Sequence, residues 1–99
     1  MTKNILIGDG PLFNHCVKKL LSEKQKFLLI TSDKNKKNLG INKTFFTSFN
    51  FLKKTKRIKF LISVMNGKII SENILSKTEN AINFHDGPLP KYGGLYSST

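Results

Sequence analysis

Short apolar runs separated by polar turns recur along the chain, and their order restricts the fold more than any other feature. The runs lie at residues 4–7, 27–31, 58–64 and 81–85, and each is short enough to form one buried strand. Helical or polar segments separate successive runs, so the strands have room for crossover connections. The sequence therefore predicts an α/β fold with an open, mostly parallel sheet and helices on both faces, in a single domain.

The segments between the strands favour helices of unequal length. Residues 12–21 place apolar side chains at helical spacing, which predicts an amphipathic helix. Residues 50–56 predict a short helix, and Ser71 is placed to cap another. Residues 33–42 are polar and predict a loop, while residues 44–47 predict either a short strand or a segment packed across that loop.

Gly8, Asp9 and Gly10 follow the first apolar run and predict a tight turn into the first helix. Gly8 and Gly10 match the first two glycines of a dinucleotide-binding fingerprint, but Phe13 occupies the position where that fingerprint needs a small residue. Asp33 ends the second strand, where a ribose-binding acid would lie. The match to a nicotinamide-type site is weak, and a plain strand-to-helix turn that needs glycine for its backbone angles is the favoured explanation.

The chain is strongly basic, with a formal net charge of +11 and 17 Lys and Arg residues, of which only Arg57 is arginine. A positive surface attracts phosphates, including nucleic acids. A general bias towards Lys and Asn accounts for the charge too, and nucleic-acid binding proteins usually add Arg and exposed aromatic side chains. The phenylalanines here lie largely in apolar runs, which disfavours a nucleic-acid partner.

The sequence predicts a cytoplasmic protein with no membrane segment. Its apolar runs are far shorter than the ~20 residues that span a bilayer. The turn at residues 8–10 interrupts the first run, so it lacks the apolar core of a signal peptide. The single cysteine, Cys16, fits a reducing compartment. His15, Cys16, His85 and Asp86 show no metal-ligand spacing, so no metal is expected.

Asn83 and His85 are the candidate catalytic pair. Residues two apart in a strand project to the same face, so their side chains are predicted to lie together where the fourth strand ends. An amide can stabilise a developing oxyanion, and an imidazole can carry a proton near neutral pH. The pair alone is not specific, because a histidine at a strand end is often structural or merely exposed.

The segment around this pair carries a longer pattern. Residues 81–95 read AINFHDGPLPKYGGL and resemble the signature Asn-x-His-x-x-x-Leu-Pro-x-Tyr-x-Gly of the folate-dependent formyltransferase family. Residues 64–71 are similar to the family segment that lines the folate pocket, with Gly67, Ile69 and Ile70 in the matching positions and Ser71 in place of a proline. The stretch from residue 5 to 21 also resembles the family's first strand and helix, so the resemblance covers most of the chain, loosely before residue 58 and closely after residue 81.

The resemblance implies a Rossmann-like domain, represented in residues 1–99 by about its N-terminal half, and an activity. The formyl group of 10-formyltetrahydrofolate would pass to a small-molecule amine. Asn83 would stabilise the oxyanion and His85 would assist proton transfer. Contacts to the folate would come from Gly67, Ile69 and Ile70, and the pocket wall would be shaped by Leu89, Pro90 and Tyr92.

Two departures from the family pattern bear on activity. The family carries a third catalytic residue, an Asp a few dozen residues past the His, and residues 86–99 contain no counterpart. Gly93 stands where many members carry Arg. We therefore expect weak or no turnover by these 99 residues alone.

Two other functions remain open from the sequence. One is a non-catalytic half-domain that binds folate or a partner, and the other is a basic nucleic-acid-binding module. For a formyltransferase, the one nucleic acid expected is a tRNA that carries the acceptor amine. The fourth strand would form an unprotected sheet edge, which predicts pairing with a second copy or a partner chain.

Overall fold

The computed structural model describes residues 3–64 and 70–84. In chain order the elements are β1 (Lys3–Gly8), α1 (Gly10–Ser22), β2 (Leu28–Ile30), α2 (Asp33–Leu39), a 3₁₀ helix (Lys43–Phe45), α3 (Phe49–Lys54), β3 (Ile58–Val64), α4 (Glu72–Ser76) and β4 (Thr78–Phe84).

The four strands form one parallel sheet in the order β2-β1-β3-β4. Phe46 forms an isolated parallel bridge with Leu29, on the side of β2 away from β1. Counting that bridge as a strand position, the chain follows the order 3-2-1-4-5 of doubly wound sheets. The predicted α/β fold with an open parallel sheet is confirmed.

Helices cover both faces of the sheet and create two apolar layers. On one face Phe13 and Val17 of α1 pack with Leu6 and Val64. On the other face, Leu52 of α3 and Ile74 of α4 belong to a separate core cluster, which comprises Ile5, Ile7, Ile30, Leu52, Ile58, Leu61, Ile70 and Ile74. Strand residues therefore alternate between two buried faces, and this explains why the strands are apolar along their length.

The predicted loop over residues 33–42 is wrong, because residues 33–39 form α2. Ser32 caps this helix by accepting a hydrogen bond from the Asn35 backbone N–H at 3.2 Å. Gly40 ends it in the left-handed conformation, with φ 62°, and its N–H donates to the Lys36 carbonyl. The helix has no apolar stripe for pattern analysis to find, since its one fully buried residue is the polar Asn35.

Smaller differences concern the first helix and residues 44–47. The apolar face predicted for α1 includes Leu12, but this residue is 44% exposed, because it lies in the first turn, beyond the carboxyl edge of the sheet. Residues 43–45 form the 3₁₀ helix, and only Phe46 pairs with the sheet. Neither of the two alternatives for residues 44–47 is fully correct.

The remaining predicted helices and strands are confirmed within a few residues. The third strand has the predicted bounds, and β4 starts three residues before the predicted 81. Ser71 takes the predicted N-cap position of α4, but its side chain forms no capping hydrogen bond; its carbonyl accepts from the Ile74 and Leu75 N–H groups. Among the elements described, no helix is long and apolar enough to cross a membrane.

Candidate functional site

The carboxyl ends of the four parallel strands lie along one edge of the sheet, where ligands bind in folds of this type. The connection after β1 leads to one side of that strand and β3 lies on the other side. In doubly wound sheets, ligands bind near such a change of direction, which in this sheet lies between β1 and β3.

Gly8 is required here because the backbone of β3 passes directly over it. A Cβ atom on Gly8 would overlap the Val64 carbonyl oxygen and lie 2.9 Å from Cδ1 of Phe13. Phe13 itself is fully buried. The glycine therefore allows close contact between β1, β3 and α1, with Phe13 filling the space that a dinucleotide fingerprint reserves for a small residue.

Asn83 lies near the carboxyl end of β4, half-buried, in register with Ser63 of β3. Adjacent strands are ~4.8 Å apart. Ser63 follows Leu61 by two residues and Asn83 follows Ala81 by two, so both side chains lie on the face of the Leu61 core cluster. The structure thus sets two polar side chains beside each other at the edge where ligands bind.

Sequence analysis does not single out Ser63, which is one small residue in an apolar strand. It is fully buried, and within residues 3–64 and 70–84 its hydroxyl oxygen has no hydrogen-bond partner. A buried hydroxyl without a partner costs free energy.

Of the other residues predicted for the folate pocket, Ile70 is described and is 4% exposed, in the cluster that contains Leu61 and Ile74. The remaining predicted site residues lie outside the described residues; these are His85, Gly67, Ile69, Leu89, Pro90 and Tyr92.

A second polar group joins the ends of β1 and β2. The Asp9 carboxylate accepts hydrogen bonds from the Thr31 hydroxyl at 2.9 Å and from the Ser32 hydroxyl at 2.8 Å. The Ser32 backbone N–H donates to the same oxygen at 3.4 Å. Asp9 therefore fixes the loop after β1 to the start of α2.

Asn35 of α2 stabilises the same group of polar side chains through hydrogen bonds to Asn14 and Thr31. Its side-chain amide donates to Asn14 at 2.8 Å and to the Thr31 hydroxyl at 2.9 Å, and it accepts from Asn14 at 3.1 Å. Asn35 is 4% exposed, so these hydrogen bonds are largely shielded from water. Sequence analysis missed this group of hydrogen-bonded side chains, although serine, here Ser32, is a favoured residue at a helix N-cap.

A cavity of about 260 Å³ opens beside Asp9, between the ends of β1 and β2 and the start of α3. Ile7, Ile30 and Phe49 form its apolar part. Its polar part comprises Asp9, Thr31, Ser32, Lys36, Thr47 and Ser48. This mixture of an apolar floor and a polar rim is typical of small-molecule sites.

Asp33 is not part of that cavity, so the structure gives no support to its predicted role as a ribose-binding acid. It opens α2, its side chain is 95% exposed, and it pairs with Lys36 at 3.3 Å. A carboxylate does reach the cavity, but it is Asp9 of the preceding loop.

Cys16 packs against the core cluster beneath α1, as a small apolar side chain would. Burial raises the pKa of its thiol, which disfavours the thiolate. In the part of the chain that the structure describes, no three His, Cys, Asp or Glu side chains come together as a metal site would require.

Comparison with known proteins finds no relative of this chain. No family model, no curated protein and no solved structure matches the chain.

Proposed function

We propose that this chain is a formyltransferase-type protein, in which a formyl group passes from 10-formyltetrahydrofolate to a small-molecule amine. The proposal rests first on the sequence pattern at residues 83–94, which combines the amide, the imidazole and the Leu-Pro-x-Tyr-x-Gly segment.

The observation that carries the proposal is the position of Asn83. It lies near the carboxyl end of a parallel strand, on the ligand-binding edge of a doubly wound sheet, in register with the buried Ser63. An amide at such an edge fits a ligand rich in polar atoms, as a folate is.

The chemistry assigned to the chain is limited to two side chains. When bound, 10-formyltetrahydrofolate supplies the formyl group. The Asn83 amide N–H donates to the formyl oxygen as negative charge develops there, and stabilisation of this kind is commonly worth a factor of about 100 or more in rate. The His85 imidazole would assist the transfer of the proton that the attacking amine loses to the folate nitrogen, whose bond to the formyl carbon breaks.

Calorimetric titration with 5-formyltetrahydrofolate, a stable mimic of the donor, tests binding. We expect saturable binding by the wild-type chain. Binding by Asn83→Ala should be about tenfold weaker, because this variant loses one hydrogen bond in a partly desolvated site. Asn80→Ala is the matched control, because Asn80 is an exposed amide of the same strand that bonds the Lys59 carbonyl. Absence of binding by a chain that circular dichroism shows to be folded would contradict the proposal.

Transfer is measured in the same preparation with 10-formyltetrahydrofolate and a panel of amines. Slow turnover is expected, and it should disappear in His85→Ala. Turnover that survives His85→Ala would refute the assignment of this residue. Binding without any transfer would favour the alternative of a non-catalytic folate-binding module.

A further inference from the structure

The amino edge of the sheet, opposite the proposed formyl-transfer site, is basic. Each strand begins at or within two residues of a basic side chain; in strand order these are Lys26 before β2, Lys3 in β1, Arg57 before β3 and Lys77 before β4. Arg57 pairs with Glu79 at 3.6 Å, and Lys77 donates to the carbonyls of Thr55 and Lys53. Among the described residues, Lys3 and Lys26 form no ion pair.

A cavity of about 470 Å³ lies beside these two lysines, and we call it the Phe45 cavity. Lys3 and Lys26 line it together with Phe27, Thr44 and Phe45, and none of the acidic side chains that the structure describes contributes to its lining. Its volume is in the range of small-ligand sites. A pocket with two cations and two aromatic rings is suited to an anion that carries a flat ring.

Phe45 is held so that its ring reaches solvent. The Asn42 side chain accepts from the Thr44 N–H at 2.9 Å and caps the 3₁₀ helix. The turn directs Phe46 into the core, where it pairs with the sheet, and leaves Phe45 37% exposed. Phe45 thus supplies an exposed aromatic ring in the cavity that Lys3 and Lys26 line. The sequence alone does not show that this phenylalanine is exposed.

The segment that carries Lys26 is also fixed. The Asn4 side-chain amide of β1 donates to the Lys26 carbonyl at 3.4 Å. Lys3 and Lys26 are therefore attached to adjacent strands, and both line the cavity together with Phe45. Their spacing is set by the sheet rather than by a flexible tail.

We propose that the Phe45 cavity binds single-stranded nucleic acid, with a base stacked on the Phe45 ring and adjacent phosphates paired with Lys3 and Lys26. Stacking on an aromatic side chain requires an unpaired base, and it is combined with a positive groove in proteins that bind single strands. The site lies on the opposite edge of the sheet from Asn83, so it does not depend on the formyl-transfer proposal.

Fluorescence anisotropy with a labelled oligothymidylate, and with its duplex with oligoadenylate, tests the proposal over a range of salt concentrations. The wild-type chain should bind the single strand more tightly than the duplex. Phe45→Leu keeps apolar bulk but removes the ring, so affinity should fall about five- to tenfold at unchanged salt dependence. Phe45→Tyr keeps the ring and should bind like the wild type.

A pair of charge variants separates a local site from general attraction to a basic protein. Lys26→Gln should reduce the slope of log K against log salt by about 0.7, the value for one phosphate contact on a single strand. Lys34→Gln removes the same charge from exposed residue 34 of α2, away from the cavity, and should leave the slope unchanged. Equal slopes for the two variants, equal affinity for single strand and duplex, or wild-type binding by Phe45→Leu would each overturn the proposal.

Discussion

Gly8 of β1 lies against the carbonyl oxygen of Val64 of β3, so close that a Cβ atom on Gly8 would overlap it. The contact joins the two central strands at the carboxyl edge of the sheet, where ligands bind in folds of this type. It also leaves room for the Phe13 ring, which packs beneath the turn into α1. The glycine is thus a packing requirement of the sheet.

Gly8→Ala should destabilise the protein by about 3 kcal/mol, because the added methyl group must push β3 away from β1 in a close-packed core. Denaturant unfolding followed by circular dichroism measures the change. Gly40→Ala is the control, since Gly40 has φ 62° but a Cβ atom there would meet no described heavy atom within 4 Å. Its cost should be about 1 kcal/mol, from backbone conformation alone. Equal losses in the two variants would contradict the packing argument.

The Asn35 side chain connects α1, the end of β2 and the start of α2, and its removal should be costly. Asn35→Ala leaves the Asn14 side chain without its partner and removes the hydrogen bond that the Thr31 hydroxyl accepts, so it should reduce the free energy of unfolding by about 2 kcal/mol. Urea unfolding measures the change. Asn38→Ala alters an exposed residue of the same helix and should lie within about 0.5 kcal/mol of the wild type. A loss of equal size at both positions would contradict the assignment of the loss to the buried hydrogen bonds of Asn35.

The strands are predictable from sequence because each is buried on both faces and is therefore apolar throughout. Ile5 and Ile7 pack on one face of β1 while Leu6 packs on the other, which produces a run that sequence analysis can recognise. The fold class follows from the order of such runs. By contrast, α2 presents one buried residue, the polar Asn35, and its boundaries depend on Ser32 and Gly40.

The polar part of the candidate site is less accessible to sequence analysis. Asp9 bonds Thr31 across 22 residues of sequence, and this contact exists only because β1 and β2 are adjacent and parallel. Ser63 is a single small residue within an apolar strand, so no sequence pattern marks it as part of a site. Asn83 is recognisable because its type and spacing match a known signature, whereas its register with Ser63 requires the structure.

The chain has a single cysteine, so thiol alkylation reports on Cys16 alone. Burial raises the pKa of the Cys16 thiol. Because the thiolate is the reactive form, the rate of reaction with iodoacetamide should reach its midpoint at a higher pH in the folded protein than in guanidinium chloride. The folded state favours the protonated thiol, so its contribution to stability is present at neutral pH and is lost as pH rises through the folded pKa. Equal midpoints in the two conditions would show that the thiol is solvated.

Ser63 and Thr78 provide hydroxyl groups in contrasting settings on neighbouring strands. The Ser63 hydroxyl is buried with no partner in the described part of the chain, while the Thr78 hydroxyl donates to the Ile74 carbonyl at 2.7 Å. Removal of a buried hydroxyl without a partner relieves its desolvation cost, so Ser63→Ala should raise the free energy of unfolding by about 1 kcal/mol. Thr78→Val loses a hydrogen bond and should lower it by about 1 kcal/mol. Urea unfolding of the two variants measures both changes, and a loss of stability in Ser63→Ala would contradict the argument that this hydroxyl is buried at a net cost.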